Sequence, residues 1–155
     1  MLTALEISRQ IQRFLDEKEL RYSVSEEGDS ISFSFKLDCK LNGCNFRVFC
    51  RDGNYSLNCF IQICADEDSR INVSEYITRA NYGLRYGCFQ MDFSDGEISY
   101  RMAVNCEGYT DIPEDVIMSC IMIPTRMFET YGDGLVAVIY GFKTPEEAVI
   151  EAEKE

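Results

Sequence analysis

The chain contains no histidine, and that absence removes the usual general base together with the common triad and dyad arrangements of nucleophilic catalysis. It also leaves the eight cysteines without an imidazole partner for a mixed zinc site, and no two of them stand in C-x-x-C spacing. The longest uninterrupted apolar run, residues 135–140, falls far short of the roughly 20 residues that span a bilayer, so no membrane partner is expected. The 15 Lys and Arg are scattered singly. Without a basic patch, a nucleic-acid partner is not expected either. The start, Met1-Leu2-Thr3-Ala4-Leu5-Glu6, has no basic region followed by an apolar stretch and so does not read as a signal peptide. The expectation is a cytoplasmic protein with reduced thiols.

What is present is a strongly acidic chain. Its 27 Asp and Glu leave a net charge of −12 over 155 residues, with a pI near 4.4. The length suits one domain over residues 1–155, and a hydrophobic content of 46% is that of a globular chain. Acidity on this scale fits a well-solvated surface, or a domain that meets basic or amphipathic partners.

Three dipeptides organise the middle of the chain: Asn42-Gly43, Asp52-Gly53 and Asp95-Gly96. Each is a strong hairpin signal, because a type I′ turn needs φ > 0 at both central positions. A two-residue turn at Asn42-Gly43 places Leu41 opposite Cys44, Cys39 opposite Phe46, Leu37 opposite Val48 and Phe35 opposite Cys50. The turn at Asp52-Gly53 places Cys50 opposite Tyr55, Val48 opposite Leu57, Phe46 opposite Cys59 and Cys44 opposite Ile61. All of these are apolar or cysteine and share one face, so three antiparallel strands with a continuous buried face are expected. The other face carries Ser32, Ser34, Lys36, Arg47, Ser56 and Asn58, and also Phe49, Phe60 and Cys64. The third turn sets Phe93 opposite Ile98, Met91 opposite Tyr100 and Phe89 opposite Met102.

Helices flank these strands. Thr3-x-x-Glu6 opens an amphipathic helix over residues 3–18, with Ala4, Ile7, Ile11, Phe14 and Leu15 on one side. A short extended piece follows at residues 22–25. Asn72-x-x-Glu75 resembles a second capping box, and Val73, Tyr76, Ile77, Ala80 and Leu84 mark a helix that ends near Gly83 or Gly87. Thr110 or Asp111 caps a third, with Pro113 in its first turn and Val116, Ile117, Cys120, Ile121, Ile123, Met127 and Phe128 inward. A kink is expected at Pro124 and a break at Gly132-Asp133-Gly134. Residues 135–140 suit helix or strand. Thr144-Pro145-Glu146-Glu147 opens a short acidic terminal helix.

Little of this carries chemistry. Cys39, Cys44, Cys50 and Cys59 alternate with apolar residues on the buried face, where cysteine packs as a small hydrophobe. Cys64 and Cys88 are the expected exposed thiols, with nothing nearby to activate them. Asp66-Glu67-Asp68 fails the EF-hand pattern because Ile71 stands where the loop needs glycine. Gly132-Asp133-Gly134-Leu135-Val136-Ala137 imitates a dinucleotide-binding turn but follows a helical pattern rather than a strand. Asn72-Val73-Ser74 is a glycosylation sequon in form only. No catalytic residue, metal ligand or cofactor site is expected. Two apolar patches are candidates for a protein-interaction surface: Met118 with Met122, one turn apart outside the main arc of the third helix, and Phe49 with Phe60 on the wrong side of the meander. The alternative for each is that a neighbouring element covers it.

The run Arg79-Ala80-Asn81-Tyr82-Gly83-Leu84, then Gly87-Cys88-Phe89-Gln90-Met91-Asp92 leading into the Asp95-Gly96 hairpin, resembles the YbjN-type domain family of bacterial sensory transduction regulators. In layout the resemblance extends to the third helix and to Lys143-Thr144-Pro145-Glu146-Glu147-Ala148. It implies an α+β fold of type III secretion chaperone-like form: an antiparallel sheet of about five strands in α-β-β-β-α-β-β-α order with helices packed on it. Asn81 and Gly87 match the family pattern and take structural roles at the helix-to-strand corner. The implied function is a non-catalytic protein-binding or regulatory domain, a homodimer that binds other proteins or extended peptide segments. The alternative reading is a cysteine-based redox or metal sensor.

Overall fold

Thr3 and Glu6 close a reciprocal cap at the head of α1 (Ala4–Glu17). The Thr3 hydroxyl accepts the Glu6 N–H at 3.2 Å and the Glu6 carboxylate accepts the Thr3 N–H at 2.8 Å. Those bonds hold the Glu6 carboxyl below its ordinary pKa. The helix then buries Ile7, Ser8, Ile11, Phe14 and Leu15, the stripe that a 3.6-residue period dictates. The computed structural model describes residues 1–154.

Six strands follow in one antiparallel sheet: β1 (Ser23–Val24), β2 (Ser30–Lys36), β3 (Gly43–Arg51), β4 (Asn54–Phe60), β5 (Cys88–Met91) and β6 (Ile98–Asn105). Their order across the sheet is β1-β2-β3-β4-β6-β5. The helix α2 (Arg70–Asn81) separates β4 from β5, and α3 (Glu114–Ile139) and α4 (Pro145–Ala152) close the chain. The fold class is thus α+β as expected, with six strands where about five were anticipated; the extra one is the two-residue β1. Helices α1, α2 and α3 contact the sheet, while α4 packs on α2 and α3.

The middle turn behaves as the two-residue loop it resembles. Cys50 faces Tyr55, Val48 faces Leu57 and Phe46 faces Cys59. Ile61 lies beyond the end of β4 and forms no pair with Cys44. The N-terminus clamps this turn, with Ala4 N–H donating to the Asp52 carboxylate at 2.9 Å and Gly53 N–H to the Leu2 carbonyl at 2.8 Å.

The other two hairpins differ in register. Phe35 faces Cys44 instead of Cys50, a displacement of six residues. Residues 37–42 form a loop instead of strand because α3 takes up their polar groups: Asp38 N–H donates to Glu129 Oε1 at 3.1 Å and Lys40 N–H to Asp133 Oδ1 at 2.8 Å. Cys39 therefore sits half-buried in that loop, its thiol donating to the Phe128 carbonyl at 3.6 Å. At the third turn Phe89 faces Tyr100 instead of Met102, a displacement of two. Asp92 N–H bonds to the Glu97 carbonyl at 2.9 Å, so four residues form the tip and Phe93 is 55% exposed. Gly96 (φ +77°) lets the tip dock on Ala65, whose N–H donates to its carbonyl at 2.9 Å; a Cβ there would lie 1.8 Å from the Ala65 oxygen. None of the three turns has φ > 0 at both central residues. Only Asn42, Gly53 and Gly96 are left-handed, which excludes type I′ geometry. Both displacements are even, so every strand residue keeps its expected face.

The helices bring four further corrections. Asn72 is inside α2, which starts at Arg70 after Ser69 with no side-chain cap bond, and the helix ends at Asn81, leaving Leu84 outside. Pro113 itself occupies the N-cap position of α3, and neither Thr110 nor Asp111 caps it. The helix does not break at Gly132-Asp133-Gly134; it runs on past Pro124, where a kink is expected, and carries residues 135–139 as helix. Burial explains this: Pro124, Tyr131, Gly132, Leu135 and Val138 are all in the core, and packing overrides the weak local propensity.

The core lies between the sheet and the helices. Phe89 packs edge-on against Tyr100, Phe128 and Tyr131 with ring centroids 4.9, 5.3 and 5.6 Å apart. Tyr76 donates its hydroxyl to the Tyr131 carbonyl at 2.6 Å. Each such aromatic, fully buried, stabilises the fold by about 1.5–3 kcal/mol.

Candidate functional site

Alternation along β2, β3, β4 and β6 sends the side chains that do not enter the core to the opposite face of the sheet, which no helix covers. On that face Arg47 stands opposite Ser32 on one side and Asn58 on the other, and Asn58 in turn stands opposite Arg101. The next row towards the Asp52-Gly53 turn is Ser30, Phe49, Ser56 and Ala103. Arg51 lies beyond it, opposite Asn54. Phe49 is 39% exposed and Phe60 half-buried. The two expected aromatics thus share an open face, on adjacent strands but in different rows: Phe60 is opposite Asn45 and Ser99. A shallow depression of about 650 Å³ runs between Phe49, Arg51, Asn58 and Arg101.

The strands of this face carry charge of one sign, while the carboxylates of Asp92 and Glu97 line a depression beside Asn58 and Phe60 at its β5 end. Lys36, Arg47, Arg51 and Arg101 are exposed, and none of the 27 Asp and Glu falls in a strand among the described residues. The three ion pairs found among those residues, Arg13–Asp111, Arg79–Glu75 and Lys154–Glu151, lie elsewhere. The Asn58 Oδ1 atom is buried without a hydrogen-bond partner, an unused acceptor in the middle of the row.

A second surface lies at the edge of β6. Strand β5 pairs only as far as Arg101, so Met102 to Asn105 have no neighbour on that side. The Cys106 N–H donates to the Gly53 carbonyl at 2.8 Å; ladder alternation from that bond turns the Ala103 N–H and C=O to the open edge. Val116, Ser119 and Ile123 of α3 face this edge across a groove of about 500 Å³. Met118 and Met122 are half-buried and do not line it, and Met118 packs against the core. The structure therefore does not bring the methionine pair together with Phe49 and Phe60.

The sequence reading missed the β6 edge, because strand order is invisible locally. It also missed that the strands carry cations alone, though the missing carboxylates in residues 30–36, 43–51, 54–60 and 98–105 could have been counted.

The cysteines are mostly packing atoms. Cys44, Cys50, Cys59, Cys106 and Cys120 are buried, Cys39 is half-buried, and Cys64 and Cys88 are exposed. Burial pushes the Cys50 thiol up to about 12 and raises Cys106 and Cys120 as well. Cys59 rises for the same reason, with Cys44 adding to it. A thiol held protonated is a poor nucleophile and a poor ligand. Among the described residues no three His, Cys, Asp or Glu converge as a metal site, and no helix is long and apolar enough to cross a membrane.

No family model matches the chain, and neither does any curated protein. Among solved structures it is similar to the crystal structure of the ExsC–ExsE complex, with 13% identity and a TM-score of 0.48, over 83% of this chain and 95% of that one.

Proposed function

We propose that the chain is a non-catalytic protein-binding or regulatory domain of YbjN type, spanning residues 1–155, chaperone-like in use and acting as a homodimer in the cytoplasm. The observation that carries this reading is the uncovered sheet face, where Phe49 stays 39% exposed among polar strand residues. The open edge of β6 adds to it. Free Ala103 main-chain groups beside an apolar groove suit an extended segment that pairs as an added strand. Met118 and Met122, the other candidate protein-interaction patch, are the residues assigned to contact between copies in this reading. Eight cysteines without a disulfide among the described residues suit a reducing compartment.

A photo-crosslinking residue placed at Phe49, at Ala103 or at Met122 tests the reading in the protein's own cells. Adducts to another protein from the first two positions, and to a second copy from the third, are the expected result. A monomeric native mass with no adduct from any position rules the reading out.

A further inference from the structure

We propose that the open sheet face is a docking surface for an acidic, extended polypeptide segment, with Arg47 and Arg101 as its principal anchors. The inference rests on the protein-binding reading above and adds the chemistry of the partner.

Charge complementarity points to the occupant. Four cations, Lys36, Arg47, Arg51 and Arg101, stand on the strands, and all the acids of the described residues stand on helices and loops. A carboxylate on the facing strand is the neighbour that stabilises an arginine on a sheet. Here Arg47 and Arg101 both face Asn58, and none of the four cations makes an ion pair among the described residues. Two strand spacings separate Arg47 from Arg101, about 10 Å, and carboxylates at i and i+2 of an extended chain lie about 7 Å apart on one side. Flexible guanidinium arms bridge that difference and fork onto carboxylates bidentately. A main-chain N–H of the same segment would supply the donor that Asn58 Oδ1 lacks once the flanking arms turn onto the carboxylates. Phe49 and Phe60 offer apolar contact on either side of the row.

The other occupants fit less well. Two copies meeting across this face by two-fold symmetry would set cations against cations, with no carboxylate on the strands to answer them. A nucleic-acid duplex carries a charge about every 1.7 Å, and its length would meet Asp92 and Glu97 beside Asn58 as well as the cationic row. A short segment feels mainly what lies within the Debye length of about 8 Å.

The test is fluorescence anisotropy on the full chain with a labelled ten-residue peptide alternating Glu and Thr. Competitors are the matching Lys–Thr peptide, inorganic phosphate and a short DNA duplex. The wild type is expected to bind the acidic peptide, at least tenfold less tightly at about 300 mM than at about 50 mM salt. Arg47→Ser with Arg101→Ser should lose at least tenfold in affinity with an unchanged melting curve, since both side chains are exposed. The control pair Arg9→Ser with Arg13→Ser on α1 should bind as wild type does. Absence of acidic-peptide binding, equal loss in both double variants, or stronger binding of the Lys–Thr peptide, phosphate or duplex each overturns the inference. Crosslinks from Phe49 or Ala103 to a protein partner that persist in the Arg47→Ser, Arg101→Ser variant would leave the protein-binding reading standing and remove only the acidic-segment claim.

Discussion

Asn81 grips the main chain of Phe89 on both polar sides: its Oδ1 accepts the Phe89 N–H at 2.7 Å and its Nδ2 donates to the Phe89 carbonyl at 2.9 Å. One amide thereby does for the outer edge of β5 what another strand would do. It also fixes the ring that joins Tyr100, Phe128 and Tyr131. Gly87 completes the corner: a Cβ there would lie 2.5 Å from the Arg101 carbonyl oxygen. The family resemblance implied structural roles for both residues at this corner, and these contacts are what each does there.

Asn81→Ala removes both bonds and leaves two strand groups of Phe89 to find water. A loss of about 2–3 kcal/mol is expected, from the usual cost of stranding half-buried polar groups. Asn81→Asp keeps the acceptor and should lose less. Urea unfolding of the three proteins checks the order; equal stability of all three would show that the grip contributes nothing.

Gly134→Ala should destabilise, although helix propensity alone favours Ala over Gly by about 1 kcal/mol inside a helix. The added Cβ would lie 2.4 Å from the Tyr76 hydroxyl oxygen, which is buried and committed to the Tyr131 carbonyl. In a Tyr76→Phe background that oxygen is gone, and the penalty should shrink. A double-mutant cycle by thermal melting measures the coupling.

A brief pulse of N-ethylmaleimide on the native protein should label Cys64 and Cys88 first, Cys39 slowly, and the five buried thiols only after unfolding. Peptide mass mapping reads the pattern directly. Fast modification of Cys44 or Cys59 would revive the redox-sensor alternative.

Alkaline solution should weaken the fold. Cys50 has its pKa raised to about 12, against an ordinary thiol near 9, so the folded state holds a proton that the unfolded chain gives up. Below about pH 9 the group is neutral in both states and its contribution is complete. Between there and about pH 12 stability falls by about 1.4 kcal/mol per pH unit for such a thiol. Cys106 and Cys120, raised by burial, act in the same direction. Cys50→Ala should flatten the decline in a pH series of denaturant melts.

The faces of the meander were legible in the chain because side chains alternate with a period of two. Phe33, Phe46, Val48 and Leu57 face the core whether the first hairpin pairs as its turn suggests or six residues away. The capping boxes at Thr3 and Thr144 were equally local and form as read. Asn72 shows the limit of that logic: its capping pattern is sound, but Asp66 accepts the Ser69 N–H at 2.9 Å and α2 starts at Arg70. Of the candidate surface, Phe49 and Phe60 were identifiable as apolar residues out of phase. Their role as neighbours of an unpaired row of arginines needed the strand order.

The sequence by itself determined the α+β class, the buried side of each strand and the helix termini that carry their own caps, since each depends on contacts within a few residues. Tertiary structure alone decided the registers of the first and third hairpins, the unbroken course of α3 and the placement of β6 between β4 and β5. Those depend on free energies from distant groups: Glu129 and Asp133 drawing residues 37–42 out of the ladder, Ala65 holding the tip at Gly96, and core burial carrying α3 through Pro124 and two glycines. The face on which Arg47 and Arg101 flank Asn58 belongs to this second group, because only pairing across three strands brings them into one row.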